Sequence, residues 1–222
     1  MIMSAFEVKM YSPAGRDYPE RNIALFLADI EQEVIVGCFG EAFYEYLKSK
    51  MTPIPADLLE YEEGRDYVLN EMVMYRGLVF KSTVNCNRTH PKDIDSDWDV
   101  VSKFIDDCAN ELWYKGLAKM IALRAYRNAL FYDTYHSTAG GIVVNVAEGF
   151  NQSYRAAVKP ELEAICRQLD NDFDMVKKGV MKLMNKLKKD ADCKALISTL
   201  STCLPELESC TRKSGRRIAF RV

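Results

Sequence analysis

Histidine is nearly absent from this chain, with two among 222 residues. That scarcity removes much of the usual chemistry of general bases and metal ligands. His90 and His136 stand far apart, and neither belongs to an H-E-x-x-H pair. Cys86 lies four positions before His90, and zinc there would need two further ligands from elsewhere. Asp93, Asp95, Asp97 and Asp99 alternate as at the start of a calcium loop. The loop's sixth position needs Gly and holds Trp98, and its twelfth needs Glu and holds Phe104. No G-x-x-x-x-G-K-[ST], G-x-G-x-x-G or G-x-S-x-G segment is present either. The expectation is a protein that is not an enzyme, with no catalytic residue, no metal and no cofactor.

Other absences bound the setting. No stretch approaches 18 uncharged apolar residues, so no membrane span is expected. Met1 to Ser12 contains Glu7 and Lys9 and lacks the apolar run of a signal peptide. Seven cysteines occur without any C-x-x-C pair, which reads as unpaired thiols in a reducing compartment. Thirty basic against 32 acidic residues leave a net charge of −2, so no strong field of one sign covers the molecule.

What is present is helical patterning. Ile23, Phe26, Ile30 and Val34 recur at helical spacing after Pro19, and Phe43, Tyr46 and Leu47 resume it past Gly37 and Gly40. Two consecutive helices, or one helix broken near Gly37–Gly40, satisfy this pattern equally. Thr52-Pro53-Ile54-Pro55 stops it. Met72 to Tyr75 and Leu78 to Val84 are β-rich runs joined by Arg76-Gly77, which predicts a hairpin. Ser96 or Asp97 is then expected to cap a helix carrying Trp98, Val101, Phe104 and Ile105. A broadly apolar helix is expected from about Glu111 to Tyr135, and Ile142 to Val146 suffices for one short strand.

Leu162, Cys166, Leu169, Phe173, Val176, Val180, Leu183 and Leu187 alternate spacings of four and three, a seven-residue repeat. Its partner is an antiparallel helix of the same chain or a second copy of the protein. A shorter helix from Ala191 to Cys203 should follow, stopped by Pro205. The predicted fold is mainly α: a helical bundle with a long heptad helix. One domain spans 1–210, with a β-hairpin inserted at about 70–96 and a basic, strand-like C-terminal tail at 211–222.

Two surfaces are candidates for binding. Tyr75, Arg76, Gly77, Phe80 and Trp98 form an aromatic hairpin pattern, with two readings. The rings stack on a sugar, or they pack the hairpin onto a neighbouring helix. In the tail, Arg212, Lys213, Arg216, Arg217 and Arg221 occur with no acid, and Ile218 and Phe220 alternate with arginines at strand period. Such a segment either docks on an exposed sheet edge or stays a solvated terminus.

The layout as a whole resembles a known family. Val34-Ile35 leads to Gly40, Phe43, Tyr44 and Leu47. Glu111-Leu112-Trp113 opens a long segment, Thr134 through Gly140-Gly141-Ile142-Val143 links it to the repeat helix, and the end is basic. This order is similar to the head–tail connector, or neck-ring, proteins of crAss-like tailed bacteriophages. The inserted hairpin departs from their plain helical form. The resemblance implies a structural virion protein made in the host cytoplasm. It implies a homo-oligomeric ring, commonly twelvefold, that meets the portal protein and adjacent neck or tail proteins. DNA would pass through its channel. The alternative is a carbohydrate- or protein-binding virion module that uses the aromatic hairpin.

Overall fold

The computed structural model describes residues 1–200 apart from positions 16, 17, 56, 77, 92–95, 139–140 and 145–152, and the side chains outside 133–159. The chain is mainly helical, with a small mixed sheet set between its third and fourth helices.

Helix α1 (Ala5–Tyr11) precedes α2 (Glu20–Phe39) and α3 (Glu41–Ser49). The expected break falls at Gly40, whose φ of 93° is a left-handed value that suits glycine. Along α2, Ile23, Leu27, Ile30 and Val34 are buried at helical spacing, and Phe43, Tyr44 and Leu47 continue the buried face in α3.

The insertion is larger than a hairpin. Strands β1 (Leu59–Glu60), β2 (Met72–Tyr75), β3 (Leu78–Ser82) and β4 (Trp98–Val100) form a sheet in that order. β1 lies parallel to β2, and the other neighbours are antiparallel. The expected hairpin forms, with Tyr75 opposite Leu78 and Val73 opposite Phe80. The helix expected around Trp98 is not formed: Trp98 to Val100 pairs with β3, placing Trp98 opposite Ser82. Pairing with β3 overrides the helical spacing of Trp98 and Val101: Trp98 is buried in the sheet's own core, while Asp99 and Val100 are exposed. The helix starts later, at α4 (Asp107–Leu112), where the Asp106 carboxylate accepts from the Ala109 N–H at 2.8 Å.

A π-helical turn (Trp113–Leu117) joins α4 to α5 (Ala118–Thr134). The broad apolar character of this stretch places α5 centrally, against α1, α2 and α6 (Ser153–Leu187). Its Ala118, Ile121, Ala122, Ala125 and Ala129 are all fully buried. At the π-turn, a Cβ added to Gly116 would lie 2.4 Å from Val180 Cγ2, so α6 approaches the backbone itself. The chain turns back through β5 (Tyr135–Thr138) and β6 (Gly141–Val144), an antiparallel pair. One lone strand was the expectation here; Tyr135 to Thr138 supplies its partner, and Asn145 and Val146 lie outside the described residues. Leu162, Cys166, Leu169, Val180 and Leu187 are buried on one side of α6, with Phe173, Val176 and Leu183 half-buried.

The last described helix, α7 (Lys194–Leu200), packs on α3. The expectation of unpaired thiols is corrected here: Cys108 and Cys193 form a disulfide with Cα atoms 5.7 Å apart. They are separated by 85 positions, so only the packing of α4 beside the approach to α7 unites them. A reducing compartment therefore no longer follows from cysteine usage. Cys38 and Cys166 are buried free thiols, Cys86 is exposed, and Cys203 and Cys210 lie outside the described residues. No helix among the described residues is long and apolar enough to cross a membrane.

Candidate functional site between helix α1 and the hairpin

The N-terminal segment is held by two buried carboxylates. Ile2 and Met3 donate their backbone N–H groups to Glu31 Oε2 at 2.7 and 2.8 Å, and the Tyr44 hydroxyl donates to Oε1 at 3.0 Å. Ser4 and Glu7 cap α1 reciprocally: the Glu7 N–H donates to Ser4 Oγ at 3.2 Å and the Ser4 N–H to Glu7 Oε2 at 2.8 Å. Glu7 also receives the Lys103 ammonium at 2.8 Å, which ties α1 to the segment before α4. Burial and the neighbouring Glu31 carboxylate push the Tyr44 phenol up to about 12. Tyr46, which donates to Asp106 Oδ2 at 2.5 Å, is pushed up to about 12 by burial and that hydrogen bond.

This clasp fixes one wall of a groove. Phe6, Lys9 and Met10 of α1, with Ala14 beyond it, face Tyr75, Arg76, Leu78 and Phe80 of the hairpin across a cavity of about 560 Å³. The lining is mostly apolar, with a cation from each wall. Lys9 reaches Glu20 at 3.3 Å. Arg76 sits at a left-handed φ of 50°, exposed, with its guanidinium 5.3 Å from the Tyr75 ring centre. Among the described residues Arg76 makes no ion pair.

The hairpin residues singled out from the sequence divide. Tyr75, Arg76 and Phe80 line the groove, and Gly77 lies outside the described residues. Trp98 is elsewhere: 6% exposed, it packs 5.1 Å from Tyr67 and donates from Nε1 to the Thr89 carbonyl at 2.8 Å. Neither expectation for these rings holds in full. Trp98 offers no open face to a sugar, and Trp98 and Phe80 join Tyr67 and Val73 in a core belonging to the sheet itself, not to a helix. Arg212, Lys213, Arg216, Arg217, Ile218, Phe220 and Arg221 all lie outside the described residues. Phe6, Lys9 and Met10 escape the sequence reading, and Leu78 enters it only as part of the hairpin run, although the Ser4-x-x-Glu7 spacing that starts α1 is a legible capping signal.

No three or more His, Cys, Asp or Glu side chains gather as a metal site among the described residues. The groove can bind an apolar segment and fix an anionic group beside Arg76. Comparison with protein-family models, with characterised proteins and with solved structures gives no match for this chain.

Proposed function

We propose that this protein is a structural subunit of a tailed-phage neck. Copies of it form a ring, twelvefold in the family it resembles, between the portal protein and the tail, and the ring continues the DNA channel. The observation that carries this reading is the groove: an apolar, outward-opening trough held between a clasped helix and a hairpin, with no converging acid, base or nucleophile among the described residues that line it. A neighbouring neck component would seat an apolar segment there. The helices act as a bundle in this role, with the heptad positions of α6 as its seam. Burial of Leu162, Cys166, Leu169, Val180 and Leu187 supports that arrangement. The tail at 211–222 crosses to an adjacent subunit as an added strand.

The test is assembly. Native mass of the full chain, alone and with candidate portal or tail proteins, should reveal large cyclic complexes. Leu78→Asp, which puts a charge into the trough, should abolish them while leaving the helical circular dichroism intact. Assembly by Leu78→Asp equal to that of the unaltered chain, or a solitary wild-type protein in native particles, would sink the proposal. Tyr75 on the groove wall keeps the carbohydrate alternative in play. That reading requires retention on a glycan matrix that Tyr75→Ala loses.

A further inference from the structure

Helix α6 is divided by charge along its length. After Arg155 and Lys159 in its opening turns it holds Glu161, Glu163, Asp170, Asp172 and Asp174, with Arg167 as the lone cation between Glu161 and Asp174. Asp170 is paired with Arg124 and Arg127 of α5 and Glu163 with Arg167, which leaves Glu161, Asp172 and Asp174 without an ion pair among the described residues. From Met175 to Lys189 there are six lysines (177, 178, 182, 186, 188 and 189) and no acid. Lys178, Lys182 and Lys186 recur every fourth residue, which stacks them on one face. That face lies opposite the buried Val180, Met184 and Leu187, and all three lysines are exposed. Among the described residues none of the six makes an ion pair, and Glu161 and Asp174 make none either. At the junction of the blocks Met175 is 64% exposed.

We infer that the outer face of α6 docks on the same face of a second copy, with the two helices antiparallel and crossing near Met175. Antiparallel alignment sets each lysine block against the other copy's acidic block, and places an exposed methionine from each copy at the centre. From Glu161 to Lys189 the face runs about 40 Å at 1.5 Å per residue. The blocks therefore meet as extended rows. A duplex nucleic acid is the poorer occupant, because the acidic half of the same helix repels it. The contact is isologous and joins copies in pairs. Ring closure in the neck role needs different faces, so either idea can fail without the other.

Sedimentation of the full chain decides it. The wild-type protein should self-associate through a contact weakened tenfold or more as salt rises from about 0.1 M to about 1 M, where the screening length falls from about 10 Å to about 3 Å. The triple variant Lys178→Glu/Lys182→Glu/Lys186→Glu should lose that association. So should Glu161→Lys/Glu163→Lys/Asp174→Lys, and mixing the two should restore it. All six positions are exposed, so folding is checked by unchanged circular dichroism. Three results would each overturn the inference: a wild-type chain without salt-dependent association, variants that associate as the wild type does, or two variants that fail to complement. Lysine-dependent binding to duplex DNA by a chain that does not self-associate would overturn it in favour of a polyanion surface.

Discussion

Gly116 has almost no room for a side chain. Any side chain there must displace Val180, and overpacking of this kind costs about 1–3 kcal/mol. Gly116→Ala should lower the thermal midpoint, and Val180→Ala in the same chain should return part of the loss. Additive effects in that cycle would mean the two sites do not touch. Tyr44 and Tyr46 set an alkaline limit. Their folded pKa values, about 12, lie above the ordinary 10, so the folded chain keeps protons that the unfolded chain releases. Their contribution is complete below pH 10 and is lost as pH climbs from 10 to about 12. A denaturant titration repeated across that window should show falling stability, and Tyr44→Phe/Tyr46→Phe should flatten the slope.

Among the elements, the approach to α1 is held by the Glu31 carboxylate, while α1 itself is tied by its capping box and by Lys103. Glu31→Ala leaves the N–H groups of Ile2 and Met3 without their carboxylate, and an unsatisfied buried donor costs about 1–3 kcal/mol. Hydrogen exchange at those two amides should accelerate while α5 stays protected; unchanged protection would show that Glu31 does not hold the first residues. The long elements were legible because burial repeats along them: Ile23, Ile30 and Val34 in α2, and Leu162 through Leu187 in α6, announce their faces by spacing. The hairpin was legible for the same reason. The helix expected at Trp98 failed because Trp98, Val101, Phe104 and Ile105 do fall at helical spacing, whereas the pairing of Trp98–Val100 with β3 is a contact that no local pattern encodes. β1 was invisible, since Leu59–Glu60 is a two-residue parallel strand beside β2 with no pattern of its own. The groove was half legible. Its hairpin wall stands out as an aromatic run, whereas its helical wall depends on a contact between Glu31 and the first residues that no local pattern encodes.

For the molecule as a whole, the Cys108–Cys193 link has the longest reach. It closes a loop of 85 residues around the π-turn, α5 and α6. Chain-entropy reasoning gives such a closure a stabilisation of about 4.6 kcal/mol. Reduction, or Cys108→Ser/Cys193→Ser, should therefore lower the thermal midpoint by about 10 °C for a chain of this size. A melt indifferent to reductant would exclude the pairing in solution. The same link alters how the protein responds to mechanical load. Pulled by its two ends, the oxidised chain cannot pay out the contour between the two cysteines, about 290 Å of extended backbone. Its extension should jump by that length only after a reducing agent is added to the stretched molecule. The helices between the two cysteines are thereby shielded from tension even when the terminal segments are drawn out.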